Sequence, residues 1–204
     1  LLETERYQRY IKAFENMVIY VDDQRNPTGI NKYCRDYALT HGHLNFRKEM
    51  RKDKLTDELR EVEVIDPINP YTPDDPEEYR IIIIDNASNL TNESGMKKME
   101  TIDKMSKYGI TLRNQLSYIF VLIQHQAQAQ EGIENQKLNK LKPSSDGLAD
   151  CKTTTRDANM VIGLYSPFKY GLREYEGYDI TKFRNHIRFM EVIEDRDYGA
   201  GGQI

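Results

Sequence analysis

The apolar positions of the chain gather into five short runs, each closed by polar residues. They cover residues 17–21 before Asp22 and Asp23, 81–84 before Asp85, 118–123 before Gln124, 160–164 before Tyr165 and Ser166, and 187–193 before Glu194. The runs are rich in β-branched and aromatic side chains, and unbroken apolar stretches of this length mark strands covered on both faces, as in a parallel sheet flanked by helices. Between them the spacing turns helical. Residues 3–16 set Tyr7, Tyr10, Ile11 and Phe14 on one stripe, and residues 95–116 set Met96, Met99, Ile102, Met105, Tyr108, Leu112 and Leu116 at three- and four-residue steps. A shorter segment opens at Pro27 and runs through Ile30, Tyr33, Cys34, Tyr37 and Ala38. Strand and helix alternate, which predicts an α/β fold with a mostly parallel sheet flanked by helices. The methionine-rich stripe reads as core against that sheet rather than as an interaction face.

The alternation breaks over residues 41–79. Residues 43–63 are dense in both charge signs, with only Leu44, Phe46, Leu55 and Leu59 to anchor them, and a proline-punctuated stretch follows at 66–76. This predicts a charged insertion over 44–79, an added surface helix and then an extended arm, that is either solvated or docks a partner. A second polar stretch, 127–157, carries Lys137, Lys140, Lys142 and Lys152, and loops of this length are often functional.

Composition narrows the classes. With 204 residues, 38% hydrophobic and 30% charged, one sizeable core is expected. The balance of 29 basic against 33 acidic residues, a net charge of -4, argues against a broadly basic nucleic-acid coat and leaves room only for a local basic patch. The longest apolar run, 118–123, is far short of the roughly 20 residues of a membrane helix. Two cysteines give no disulfide framework and suit a reducing compartment. The opening LLE and the closing GAGGQI read as cut ends, so a piece of a longer protein is expected.

In an open parallel sheet, ligands bind beyond the carboxyl ends of the strands, an edge that Asp22, Asp23, Asp85, Gln124 and Tyr165 would share. The IIIID of residues 81–85 has the form of a Walker B strand, whose carboxylate holds Mg²⁺ through the ion's waters. The same pattern also arises where an Asp caps the next helix. Gln124, at the end of the next apolar run, is placed to sense a γ-phosphate or the attacking water. None of the 12 glycines opens a G-x-x-x-x-G-K-[ST] phosphate loop, and there is no G-x-S-x-G elbow, G-x-G-x-x-G turn or C-x-x-C pair. His41, His43, His125 and His186 have no zinc-like spacing.

The order of these pieces carries a resemblance. Residues 19–23 (IYVDD) match an IYIDD strand, 83–90 (IIDNASNL) approximate a Walker B I-I-D-Y-L-Q-L, and 96–124 look like the helix and V-V-A-L-S-Q strand that follow it. Residues 146–166 echo S-D-L-R-x-S-G-x-I-E-Q-D-A-D-x-V-x-x-L-Y-R. On these motifs the chain resembles the C-terminal RecA-like ATPase domain of DnaB-type replicative DNA helicases, of phage or mobile-element type, entered downstream of the P-loop. The likeness covers about three quarters of the chain and leaves 44–79 as an insertion.

The resemblance implies a RecA-like P-loop NTPase core over residues 1–204, with ATP and Mg²⁺ as cofactors. It makes Asp85 the Mg²⁺-associated carboxylate, acting through water, and Gln124 the γ-phosphate-sensing amide. Arg196 takes the Arg position of the family's K-x-R-N-G turn, an arginine finger for the neighbouring subunit's nucleotide, while Glu194 stands where the family has Lys. Ala149, Asp150, Lys152 and Thr153 fall in the loop that grips single-stranded DNA inside a homo-oligomeric, hexameric ring. A primase or helicase loader as partner, and the cytoplasm of a bacterial or phage-infected cell, follow from the same likeness. Without a phosphate loop the piece alone is expected to be inactive. The alternatives are a non-hydrolysing RecA-like module that binds DNA or a partner, or a RecA-fold recombinase or DNA-packaging ATPase. Arg196 and Lys152 have a plainer reading as solvated surface residues, and Tyr165 and Tyr170 read either as base-stacking or as edge packing.

Overall fold

A computed structural model of the chain describes residues 4–15, 17–127, 132, 134–135 and 142–196. Helix α1 covers Glu5–Glu15 and α2 Pro27–Thr40; strands β1 (Gly42–Leu44), β2 (Phe46–Lys52), β3 (Leu59–Ile65), β4 (Tyr71–Pro73) and β5 (Arg80–Ile84) follow. Helix α3 (Lys98–Leu116) leads to β6 (Tyr118–Leu122), β7 (Met160–Tyr165), β8 (Glu174–Tyr175), β9 (Tyr178–Asp179) and β10 (Phe189–Asp195). Short helical turns lie at Ala87–Asn89, Ser145–Gly147, Thr154–Asp157, Pro167–Tyr170 and Arg184–His186. The fold is mixed α/β. Lys137 and Lys140, and the glycine-rich end, lie outside the described residues.

The unit that positions the rest is β5–α3–β6. Its strands pair in parallel, Arg80 with Tyr118 through Ile84 with Leu122, and α3 is the crossover between them. One strand face is buried: Arg80, Ile82 and Ile84 with Tyr118, Phe120 and Leu122 pack against Ile102, Met105, Leu112 and Leu116 of α3. The predicted stripe is there, widened by the small residues Thr101, Ser106 and Gly109, while Met99 faces out. Gly109 allows the close approach, since a Cβ there would fall 2.5 Å from the Phe120 ring. Helix α2 packs beside α3 through Cys34 and Ala38, its first turn set by Pro27 and by the Asn26 side chain, which accepts the Gly29 N–H at 3.0 Å.

Five expectations are corrected. The opposite strand face is open, with Ile81, Ile83 and Ile119 exposed, so these runs are covered on one side only among the described residues. Residues 17–21 form no strand; the run is extended and exposed, with Tyr20 at 92%, because no strand among the described residues lies alongside to take up its backbone groups. Helix α1 likewise buries none of its stripe, and its exposed Tyr10 and Phe14 rings lie 4.8 Å apart. The remaining pairs are antiparallel: β7 with β10, β1 with β4, β2 with β3 and β8 with β9. The parallel part of the described sheets is therefore a single pair of strands.

The fifth correction is the insertion, which is a β-hairpin and not a helix. β2 and β3 pair from Phe46 with Ile65 to Lys52 with Leu59, and Asp53 shapes the turn by accepting the Leu55 N–H at 2.8 Å. Within residues 59–65, LREVEVI, only residues 61–64 alternate, a period-two signal too short to stand out from the surrounding charge. At its base Asn45 donates from its own N–H to Pro70 O and accepts the Asp66 N–H, while its side chain donates to Asn69 O and to Thr72 Oγ1.

Where the insertion rejoins the core, Arg80 is 6% exposed. Its guanidinium lies 4.4 Å from the Tyr71 ring centre and 5.1 Å from that of Tyr118, and donates to Tyr71 Oη at 2.9 Å. The two hydroxyls in turn donate to α2, Tyr71 to Ala38 O at 2.8 Å and Tyr118 to Cys34 O at 2.7 Å. Gly42 makes room for Tyr71, whose hydroxyl would meet a Cβ there at 2.1 Å. Burial pushes both phenols above their ordinary range, and pushes the adjacent Cys34 thiol up to about 11.

The folded chain thus keeps protons that the unfolded chain releases once the pH passes about 9, so stability is full below that point and declines as pH rises toward the folded-state value. Denaturant unfolding at about pH 8 and about pH 10.5 is expected to differ on the order of 2 kcal/mol through Cys34 alone. Cys34→Ala should remove that share of the loss, and an alkaline decline identical in the variant would contradict the assignment.

Candidate functional site

The carboxyl ends of β5 and β6 meet three other segments. Parallel register sets Ile84 beside Leu122, and the Ile123 N–H donates to Ile84 O at 3.0 Å, so Asp85 and Gln124 leave adjacent strand ends one step apart. Alternation separates their side chains. Asp85 follows the open face of Ile81 and Ile83, whereas Gln124 follows Leu122 toward the α3 side. Asp85 is exposed, and the peptide bond between it and Asn86 is cis. The following turn folds back over the strand end, the Ala87 N–H donating to Ile123 O at 2.8 Å.

The segment before α2 arrives at the same edge. The Thr91 N–H donates to Arg25 O at 2.8 Å, and the Thr28 N–H donates to Glu93 Oε1 at 2.8 Å. Lys104 also bonds Glu93 and, with Thr28, holds that carboxyl below the usual range. Asp22 and Asp23 stay exposed at this margin, with the Arg25 guanidinium donating to Asp22 O at 2.8 Å. Tyr165 does not join them. It is buried in a separate cluster with Tyr175 and Ile180, and its ring lies 5.8 Å from that of Tyr170 at an interplanar angle of 14°, which is packing.

Gln124 is fully engaged by the segment that follows residue 148. Its amide nitrogen donates to Ala149 O and, at 2.7 Å, to Cys151 O, while its Oε1 accepts from Thr154 Oγ1 at 2.9 Å. The seat is reinforced on both sides. Ser88 Oγ donates to Asp150 Oδ2 at 2.7 Å, and Thr153 Oγ1 donates to Asp103 Oδ1 at 2.9 Å. Lys107 and Thr153 hold the Asp103 carboxyl below its ordinary range. Cys151 is buried, Ala149 half-buried, and Asp150, Lys152 and Thr153 face solvent. Behind them the helical turn Thr154–Asp157 is tied to α3 by Ser106 Oγ donating to Asp157 Oδ2 at 2.8 Å.

Arg196 stands apart. Its N–H donates to Asn159 O at 3.0 Å, and the Asn159 side chain is held by Arg113 in the last turns of α3. Helix α3 runs back from the carboxyl ends of the parallel strands toward their starts, so Arg196 lies toward the end opposite Asp85 and Gln124. Its side chain is exposed, and Glu194, two residues earlier, accepts a hydrogen bond from Ser145 Oγ.

The chemical capacity of the edge follows from this inventory. One exposed carboxylate suits a hard cation that keeps most of its waters and draws its remaining ligands from phosphates, and Asp85 is the residue that would hold Mg²⁺ in that manner. Among the described residues no group of three or more His, Cys, Asp and Glu could enclose a metal, and no helix is long and apolar enough to cross a membrane. Two side chains at the edge have roles that no motif predicts: Ser88, which fastens Asp150, and Asn86, whose Nδ2 lies 3.0 Å from His125 Nε2. Their partners stand 62 and 39 residues away, so local spacing contains no trace of them. No protein-family model matches the chain, and no curated protein matches it in sequence.

Because Gln124 supplies three of the contacts that seat residues 149–154, Gln124→Ala should let that segment open more often. Tryptic cleavage after Lys152 is expected to accelerate roughly tenfold at unchanged global fold. An unchanged cleavage rate would mean that Ser88 and Asp103 hold the segment without it.

Proposed function

We propose that the chain belongs to the motor domain of an ATP-dependent DNA helicase, replicative and DnaB-like, which translocates on single-stranded DNA as a hexameric ring in the cytoplasm. The observation that carries the reading is the parallel β5–α3–β6 unit, which delivers a lone carboxylate, Asp85, and a carboxamide, Gln124, to neighbouring strand ends. That pairing is what a RecA-like P-loop NTPase core needs beside its phosphate loop. The open apolar face of β5 and β6 also fits a sheet that further strands and helices complete, since exposed apolar area of this kind is normally covered.

In this reading Asp85 would hold Mg²⁺ through the ion's waters, and the ion would supply charge neutralisation at the phosphates of ATP. Gln124 senses the terminal phosphate through the amide that now grips Ala149 and Cys151, so the nucleotide and residues 149–154 compete for one group. Lys152 and Thr153, exposed on that segment, give DNA phosphates a sequence-independent grip. Arg196, exposed and set toward the far end of the strands from Asp85, serves a neighbouring subunit. Hydrolysis requires a glycine-rich phosphate loop that these 204 residues do not contain. A second reading, a non-hydrolysing module that binds DNA or a partner, is favoured by one observation: every hydrogen-bonding atom of the Gln124 side chain is already engaged inside the chain.

In a protein that carries the phosphate loop, Asp85→Ala should abolish DNA-stimulated ATP hydrolysis while leaving circular dichroism unchanged, and wild-type turnover would sink the motor reading. Arg196→Ala subunits mixed with a hydrolysis-dead subunit should lose the activity that the corresponding Arg196-containing mixture retains. Equal activity in the two mixtures would count against action across a subunit boundary.

A further inference from the structure

The Asn86 side chain is bound at both of its ends. Its Oδ1 accepts the Ser88 N–H at 3.0 Å, capping the turn Ala87–Asn89, and its Nδ2 lies 3.0 Å from His125 Nε2. A backbone N–H can only donate, so the amide has one orientation, oxygen toward Ser88 and nitrogen toward His125. The amide nitrogen is itself only a donor. His125 Nε2 must therefore present its lone pair, and the ring proton sits on Nδ1. An imidazolium carries hydrogen on both nitrogens and would set donor against donor. Asn86 cannot turn over to receive it without giving up the Ser88 cap.

We propose that Asn86 and His125 form a positioning clamp that joins the residue after Asp85 to the residue after Gln124, closed while the imidazole is neutral and opened by its protonation. The geometry places the clamp across the gap that two backbone bonds also span, Ile123 N–H to Ile84 O and Ala87 N–H to Ile123 O. The ring is exposed and open to protons from solvent. Among the described residues, two segments are bonded to His125. The turn after β5 brings Asp85 as its charged group, and the segment whose Ala149 N–H donates to His125 O brings Asp150 and Lys152. Asp150 is engaged by Ser88 rather than by the ring. That the clamp sets Asp85 against Gln124 for turnover rests on the motor reading; that it exists and responds to pH does not.

The test is amide hydrogen exchange at Ala87, a residue that no variant alters, measured by NMR at about pH 7.5 and at an acid value where the ring's own NMR signals show it protonated. After correction for intrinsic rates, protection in the wild type should fall roughly fivefold at the acid value, the worth of one partly exposed hydrogen bond. His125→Gln keeps an acceptor but does not titrate, and should hold its protection at both values. Asn86→Asp still accepts the Ser88 N–H but now favours an imidazolium, so its protection should rise on acidification, the reverse of the wild type. A flat wild-type profile, an equal fall in His125→Gln, or a fall in Asn86→Asp would each overturn the clamp. In the full-length protein, kcat for DNA-stimulated ATP hydrolysis should drop on the acid side at unchanged KM, and His125→Gln should lack that drop. An exchange pattern as expected with the same acid limb in both proteins would overturn the positioning role. Absence of any ATPase activity would count against the motor reading and leave the clamp to be decided by exchange.

Discussion

The described fold turns on one buried cation. Arg80 opens the strand that ends in Asp85, and its guanidinium is closed off from water between the rings of Tyr71 and Tyr118. Burying such a charge is costly, and the cost is offset by the two aromatic faces and by the hydroxyl of Tyr71. The Glu78 carboxylate lies 4.0 Å from Nε, which makes no hydrogen bond, so the rings carry much of the compensation. Through the two hydroxyls the arginine also fixes α2, because they donate to Ala38 O and Cys34 O of that helix. One side chain thus joins the start of β5, the start of β6, the end of the insertion and the helix that covers them.

What the sequence revealed of this arrangement follows from the range of each interaction. β5, α3 and β6 were legible because their residues obey one period each and fold back on near neighbours. Residues 17–21 show the opposite case. An apolar run reports a demand for burial, but whether a strand forms depends on an edge to pair with, which is a property of the whole chain. The hairpin was obscured because its charges pair across strands, as Lys48 does with Glu61 at 2.9 Å, and mixed charge on a two-stranded ribbon looks locally like a solvated helix. That β7 and β10 run antiparallel depends on the connection between them and on the aromatic cluster of Tyr165, Tyr175 and Phe189, not on either run.

The candidate site divides in the same way. Asp85 and Gln124 could be placed from the sequence because a strand end is a local event. That Gln124 would be saturated by residues 149–154, and that Asn86 would reach His125, depends on approaches between segments 25 to 39 residues apart. The edge has two unlike sides as a result. On the α3 side a carboxamide is held in a dense set of hydrogen bonds. On the other side an exposed carboxylate lies beside open isoleucines. A ligand arriving at Asp85 would meet little resistance, whereas one reaching for Gln124 would have to displace protein.

The base of the hairpin has a consequence for how this molecule can vary. Asn45 ties Asp66, Asn69, Pro70 and Thr72 together, and β1 pairs with β4 immediately outside it, so the chain is sealed before β2 begins and after β3 ends. No hydrogen bond of that seal comes from within residues 46–65. The ribbon is therefore a cartridge: its length, charge and apolar surface can be exchanged over evolutionary time, or replaced by design, while the strand ends that carry Asp85 and Gln124 keep their places.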